Sequence, residues 1–238
     1  MEDPVVLKLQ HGAMLSPEDK RALSDSYSKV HTVEARIDLI SQGDTPEDVH
    51  VVLEGFACRY KLLPDGSRQI MAWLVPGDFC DLHVAVLGRM DHSIATLSTS
   101  KVARIPKDRV AELVKTSEQL SRALWWATLV DEAILREWLA NMGRRPAHEQ
   151  VAHLFCELLV RLKAVGLAQD DAMELPLTQV ELADTVGLSS VHVNRVVQEL
   201  RDEGLISWRG KVLKVLDVQR LKRFAGFEAG YLHLDGAA

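Results

Sequence analysis

Apolar positions recur along this chain with two periods, and the point where one gives way to the other divides it. A short helical stretch comes first: in "LSPEDKRAL" Ser16 stands as N-cap, Pro17 takes the first helical position and Asp19 closes a capping box. Two-residue alternation follows. The runs "DVHVVLEG", "FACRYKLL" and "RQIMAWLV" are short and rich in β-branched and aromatic residues, and turn chemistry separates them at Glu54-Gly55, Pro64-Asp65-Gly66 and Pro76-Gly77-Asp78. Many short strands at this spacing predict a small antiparallel roll or barrel. From about Lys107 to Asn141 the pattern turns helical, and neither proline nor glycine interrupts Asp108 to Met142. Within it Leu120, Leu124, Ala127, Asp131, Ile134 and Trp138 keep the 4-3 spacing of a coiled-coil seam, with one polar interruption at Asp131. Such a face fits a dimerisation helix paired with its two-fold mate, or a single helix laid on its own roll. At Trp125-Trp126 adjacent rings diverge by about 100° around the helix. If one enters the seam, the other faces the roll, either as ordinary core or filling space a ligand would occupy. "NMGRRP" then breaks the helix, and Pro146 starts another that runs to about Lys163.

The strongest chemical signal lies beyond that break, in "LTQVELADTVGLSSVHVNRVVQELRDEGLISWRGKVLKVL". Thr178 and Glu181 form a capping box, Leu182, Ala183 and Val186 supply a short apolar face, and Gly187 permits a sharp turn. Ser189 caps a second helix, whose Val193, Val196, Val197 and Leu200 repeat at i, i+3, i+4 and i+7 and therefore face inward. The outer face keeps Ser190, Val191, Asn194, Arg195 and Gln198, with His192 and the capping Ser189 beside them. A helix, a tight glycine turn and a second helix offering Asn, Arg and Gln outward is what reading base edges in a major groove requires. "LISWRGKVLKVL" reads as two strands around Arg209-Gly210, a basic wing from which Arg209 and Lys211 would reach a phosphate backbone. Any one outward arginine is ordinarily a solvated residue; the whole unit in this order is a nucleic-acid-binding head. The expected division is a β-roll over 1–116, a dimerisation helix over 117–143 and a winged helix-turn-helix over 144–238, an α+β chain.

The net charge of −6 over 238 residues would argue against a nucleic-acid partner if it were spread evenly. It is not. Residues 1–143 hold 16 Lys/Arg against 21 Asp/Glu, whereas Gly187 to Arg223 hold 8 against 4, so an acidic body carries a basic head. The composition, 47% apolar and 26% charged, is that of a globular protein. No apolar run approaches the length needed to span a bilayer, and "MEDPVVLKLQHG" lacks a basic head with a long apolar core, so a cytoplasmic location without membrane contact is expected. Cys58, Cys80 and Cys156 are odd in number and never spaced as CxxC, which points to reduced thiols; Cys58 and Cys156 lie in apolar surroundings typical of core positions.

The order of roll, long helix, "GRRP" break and winged helix-turn-helix resembles the cyclic-AMP receptor protein and fumarate-nitrate regulator (Crp-Fnr) superfamily of bacterial transcription factors, from about Ser16 to Phe224. "SSVHVNR" and "PGDFCDLHV" are similar to a branch common in alphaproteobacteria. The resemblance implies a homodimer that binds a palindromic operator on double-stranded DNA and contacts RNA polymerase. In the family the second helix reads its half-site through a Glu, a Ser or Gly three residues on, and an Arg immediately after. Val191, Asn194 and Arg195 hold those positions here, so only the Arg matches. Cyclic-nucleotide-binding members hold their ligand through a Gly-Glu pair and an Arg-Ser pair; the corresponding positions are Asp81, Leu82, His92 and Ser93, and only Ser93 survives. Leu82 cannot accept from a ribose hydroxyl, Asp81 sets a negative charge near a phosphate, and His92 is mostly neutral at pH 7. Without two charge-assisted hydrogen bonds, at about 1.5–3 kcal/mol each, binding weakens roughly 10²- to 10⁴-fold. A degenerate ligand pocket unresponsive to cyclic AMP is therefore expected, with no cofactor.

The stretch "LVPGDFCDLHVAVLGRMDHS" leaves a sharper alternative, because the carbon-monoxide-sensing member of the superfamily uses a Cys and a His near this turn. Cys80 and His83 are ligand types for haem or a metal, with His92 or Asp81 as a third, or Cys80 could act as a redox thiol. On a plain strand Cys80 and His83 would point to opposite faces; only a helical turn brings them together. The N-terminal cysteine cluster of the iron-sulfur sensor is absent from this sequence. An enzyme would need a nucleophile, base and orienter in one cleft, and Cys80 with His83 or His92 is the only candidate set. No Gly-rich phosphate loop, HExxH or GxSxG accompanies it, so no catalysis is expected.

Overall fold

Asp3 caps the first helix, α1 (Pro4–Leu9), by accepting from the Val5 N–H, and the expected Ser16/Asp19 capping box opens α2 (Pro17–Asp25). The computed structural model, which describes residues 2–236, then builds two antiparallel sheets from the alternating segments. One runs β1 (Lys29–Val33), β7 (Ser100–Pro106), β3 (Asp48–Glu54); the other runs β2 (Asp38–Ile40), β6 (Ser93–Thr96), β4 (Ala57–Leu62), β5 (Arg68–Leu74). Inward residues such as Val49, Val51, Ile70, Ile94 and Ile105 are fully buried between them, as the pleat requires. One short helix, α3 (Val84–Leu87), interrupts the connection from β5 to β6.

The helical region is two helices rather than one. α4 (Lys107–Thr116) stops at Ser117, which is extended and whose Oγ accepts from the Leu120 N–H to cap α5 (Glu118–Arg144). Beyond Pro146 comes α6 (Ala147–Ala164), a small hairpin of β8 (Ala168–Gln169) and β9 (Ala172–Glu174), then α7 (Gln179–Val186), α8 (Ser190–Asp202), β10 (Ile206–Arg209), β11 (Val212–Val215) and α9 (Val218–Ala225). The wing is larger than the two strands expected, because β11 also pairs with β9 to give a sheet ordered β10-β11-β9-β8. Among the described residues no helix is long and apolar enough to cross a membrane.

The seam expected on α5 faces its own protomer. Leu120, Leu124 and Ala127 join the core of the roll and α1, while Ile134 and Trp138 join the core shared with α6 and the head. The Trp138 Nε1–H donates to Glu157 Oε2 on α6 at 3.0 Å, and Asp131 accepts from Arg59 of β4 at 2.8 Å. All six positions are thus engaged within one chain. The large exposed apolar side chains of α5 are Trp125, Leu129, Leu135, Leu139 and Met142. Of the adjacent tryptophans Trp125 is exposed, and Trp126 is half-buried as ordinary packing against both cores, its ring so close to Gly12 that a Cβ there would lie 2.5 Å from it.

Roll and head meet through polar contacts as well as apolar ones. Trp73 of β5 donates to Thr185 Oγ1 at 3.0 Å, and Arg68 pairs with Asp184 at 2.7 Å, so α7 lies on the β4–β5 side of the roll. Deeper in, Asp78 accepts from Lys8 at 2.6 Å and Arg161 at 2.5 Å, and Arg161 also donates to Glu157 at 3.0 Å. Burial pushes the Asp78 carboxyl up, but the two cations outweigh it and hold it below the usual carboxylate range.

Candidate nucleic-acid interface and ligand cavity

Local sequence fixes the helix pair. Thr178 and Glu181 cap α7 reciprocally, Gly187 ends it in the left-handed conformation at φ +67°, and Ser189 Oγ accepts from the His192 N–H to start α8. Val193, Val196, Val197 and Leu200 are buried beneath α8. Ser190, Val191, His192, Asn194, Arg195 and Gln198 are exposed, and Val191 keeps 73% of its surface in solvent. Gln198 donates to Asp202 at 2.8 Å, one turn further along the same helix. Arg201 donates to the Trp208 carbonyl at 2.8 Å and fixes α8 against the wing. At the wing tip Arg209 is exposed, whereas Lys211, also exposed, borders a cavity of about 690 Å³ between wing and roll whose rim includes Glu54, Lys101 and Glu174.

A second cavity, of about 380 Å³, lies between the roll and α5. Arg59 reaches across its base, donating to the Phe79 and Cys80 carbonyls and to Asp131 Oδ2. His83 and His92 also line it, with ring centroids 5.4 Å apart, alongside Leu82, Met71 and Leu135. Burial lowers the pKa of both imidazoles below the ordinary value, against the pull of Asp91. Asp81 and Ser93 are not on the wall. Asp81 is fully buried and accepts from the His50 backbone N–H and from His50 Nδ1; the Ser93 hydroxyl accepts from the Gln42 N–H. Cys80 is fully buried off the wall as well, and desolvation, reinforced by Asp81, pushes its thiol well above the ordinary range.

Residues 30–117 match the cyclic nucleotide-binding domain family and residues 149–224 the Crp-like helix-turn-helix domain family. Over 187 residues the chain is 30% identical to the nitrogen fixation regulation protein FixK of Bradyrhizobium diazoefficiens, covering 79% of this chain and 78% of that protein. The chain belongs to the Crp-Fnr family. It is also 28% identical to the transcriptional activator protein FnrL of Cereibacter sphaeroides over 226 residues, 92% of this chain and 90% of that one. The structure of FixK2 from Bradyrhizobium japonicum superposes with a TM-score of 0.75 at 24% identity, over 84% of this chain and 98% of that one, a likeness of fold.

A Crp-Fnr chain of this kind is a DNA-binding transcription regulator and not an enzyme. Within that family frame, two of the four expected pocket positions, Leu82 and His92, face the cavity and two, Asp81 and Ser93, turn away from it into hydrogen bonds with neighbouring strands and loops. Sequence inspection overlooked Arg59 and the Arg161 network. An arginine inside an alternating strand is a visible signal that it needs a partner, but nothing local names Asp131, which lies 72 positions away.

Proposed function

We propose that the chain acts in the cytoplasm as a homodimer that binds a palindromic operator on double-stranded DNA, contacts RNA polymerase and does not answer to cyclic AMP. The observation that carries this is the exposed face of α8, where Ser190, Val191, His192, Asn194 and Arg195 stand free on a helix whose opposite face is fully buried. Ser189, Gln198, Arg209 and Lys211 complete the surface, the last two toward phosphate. Dimerisation is assigned to the exposed side of α5, where Trp125, Leu135, Leu139 and Met142 fall on the 4-3 series 125, 128, 132, 135, 139, 142. The units are a sensor-like roll over 1–116, a dimerisation helix over 117–143 and the DNA-binding head over 144–238. The chemistry of the cavity supports the lack of a cyclic-AMP response: Leu82 and His92 face it where a ribose and a phosphate would need a carboxylate and a guanidinium, and Arg59 already donates to three protein oxygens.

Selection of bound duplexes from a random library tests the proposal. The account expects a two-fold symmetric consensus with half-site centres about one helical turn apart, enriched to the same degree with and without cyclic AMP. An asymmetric consensus, or enrichment that requires cyclic AMP, contradicts it.

A further inference from the structure

His92 is 8% exposed, and its Nδ1 lies 2.6 Å from Asp91 Oδ1. An ionised carboxylate can only accept, so Nδ1 carries the proton and the neutral ring presents a bare lone pair at Nε2. That Nε2 is buried and has no hydrogen-bond partner among the described residues, and neither has Nε2 of His83. Both rings border the 380 Å³ cavity, and ligand atoms of His83, Asp91 and His92 all lie within 4.8 Å of one another. Two orphaned imidazole nitrogens side by side are costly unless something they can both bind occupies the space between them.

We propose that His83 and His92 bind a divalent transition-metal ion of the zinc class at the mouth of this cavity, with Asp91 holding His92 in the ligating tautomer. A carboxylate on the far nitrogen of a ligating histidine is the usual second contact of such sites, because it fixes the ring and raises its basicity. Tetrahedral zinc with nitrogens about 2.0–2.1 Å away holds its ligands roughly 3.4 Å apart, and the two rings, with centroids 5.4 Å apart, come to that spacing by rotation about their side-chain bonds. Gly88, left-handed at φ +76°, ends α3 and turns the chain back so that residues nine positions apart meet. Cys80 takes no part: its thiol is buried and held protonated, and the donor set is two imidazoles, which suits zinc, cobalt, nickel or copper(II) rather than a thiolate-bound ion. The charges around the cavity do not oppose a cation, since Asp91, Asp131 and Glu132 offset Lys8, Arg59 and Lys61. The site has two protein nitrogens and faces an open cavity, so water or an oxygen-bearing small molecule fills the remaining positions, as at metal sites that keep open coordination.

Cobalt(II) added to the chelator-treated full chain is the probe, read by its visible absorption. The expected result is one cobalt per protomer, bound tighter than roughly 100 μM, displaced by zinc and without a thiolate charge-transfer band. His83→Ala and His92→Gln each abolish the signal at unchanged far-ultraviolet circular dichroism and melting temperature without metal. Asp91→Asn weakens binding by about 10- to 100-fold, and Cys80→Ala binds as the parent does. Absence of binding, binding that survives His83→Ala and His92→Gln together, or binding that needs Cys80 overturns the proposal. The absorption reports the ion directly, so the outcome stands apart from any result on DNA.

Discussion

Replacing Leu139 with Lys separates the two faces of α5. Leu139 is 75% exposed in the protomer, whereas Ile134, from the seam that the sequence spacing first indicates, is 5% exposed. Full burial of a leucine is worth about 1.5–3 kcal/mol, so covering the three-quarters left open gives roughly 1–2 kcal/mol per protomer. Two-fold symmetry counts that contact twice, so removing it costs the dimer about 2–4 kcal/mol, a 30- to 1000-fold weaker association before any penalty for lysine facing its symmetry mate. Sedimentation equilibrium from nanomolar to micromolar protein reads this directly. Ile134→Ala is the counterpart: it opens a cavity in the protomer and lowers unfolding free energy by about 2–5 kcal/mol while leaving the association constant of the folded chain as it was. The reasoning is refuted if Leu139→Lys associates like the parent chain, or if Ile134→Ala splits the dimer at an unchanged melting temperature.

Three further outcomes follow from the site and the core. Millimolar cyclic AMP leaves both melting temperature and operator affinity unchanged; a site filled to 100 times its dissociation constant would add about 2.7 kcal/mol of stability, and a tenfold gain in affinity sinks the claim. Where Val191 meets a thymine methyl, exchanging that thymine for deoxyuracil costs about 0.8 kcal/mol per half-site, and clearly less with Val191→Ala; an equal penalty in both proteins makes Val191 a packing residue only. His153 is buried on α6 between Phe227 and Glu137, and burial, with Arg145 nearby, pushes its imidazole down to about 4. A folded-state value below the unfolded 6.5 means that the unfolded chain binds more protons, so this stability is complete above about pH 6.5 and drains as pH falls toward 4. Denaturant unfolding of His153→Leu therefore shows a smaller loss between those two pH values; an unchanged loss assigns the acid sensitivity to other groups.

What the sequence revealed and what it hid follow the range of the interactions. The caps at Ser16, Thr178 and Ser189 and the buried valines of α8 depend on residues within a turn or two, and all are where the spacing puts them. α5 carries two 4-3 series, and spacing alone left open whether the first meets a two-fold mate or its own roll. The stripe through Leu120, Ala127, Ile134 and Trp138 is the more apolar of the two, and a helix buried on one side by its own chain must put its better stripe there. Glu157 settles the matter by taking the Trp138 indole N–H, from 19 residues along. The break at Ser117 escaped periodicity because α4 and α5 are each amphipathic; the capping serine was the only local sign. In the stretch from Cys80 to His92 the residue types pointed to ligand chemistry, but α3 and Gly88 decide that His83 meets His92 and that Cys80 meets neither.

The central claim, that the exposed face of α8 reads DNA while the wing only grips it, rests most directly on one paired titration. Binding of Arg195→Ala and Arg209→Ala is measured against the selected palindrome, against single-base variants of it and across salt. A bidentate arginine–guanine contact is worth about 1–3 kcal/mol, so Arg195→Ala flattens the preference at one G·C pair in each half-site. Arg209→Ala weakens all sequences alike and lowers the salt slope by about one for each phosphate no longer neutralised. If Arg195→Ala weakens every sequence equally and leaves the base preference intact, α8 is not the reading helix and the account fails.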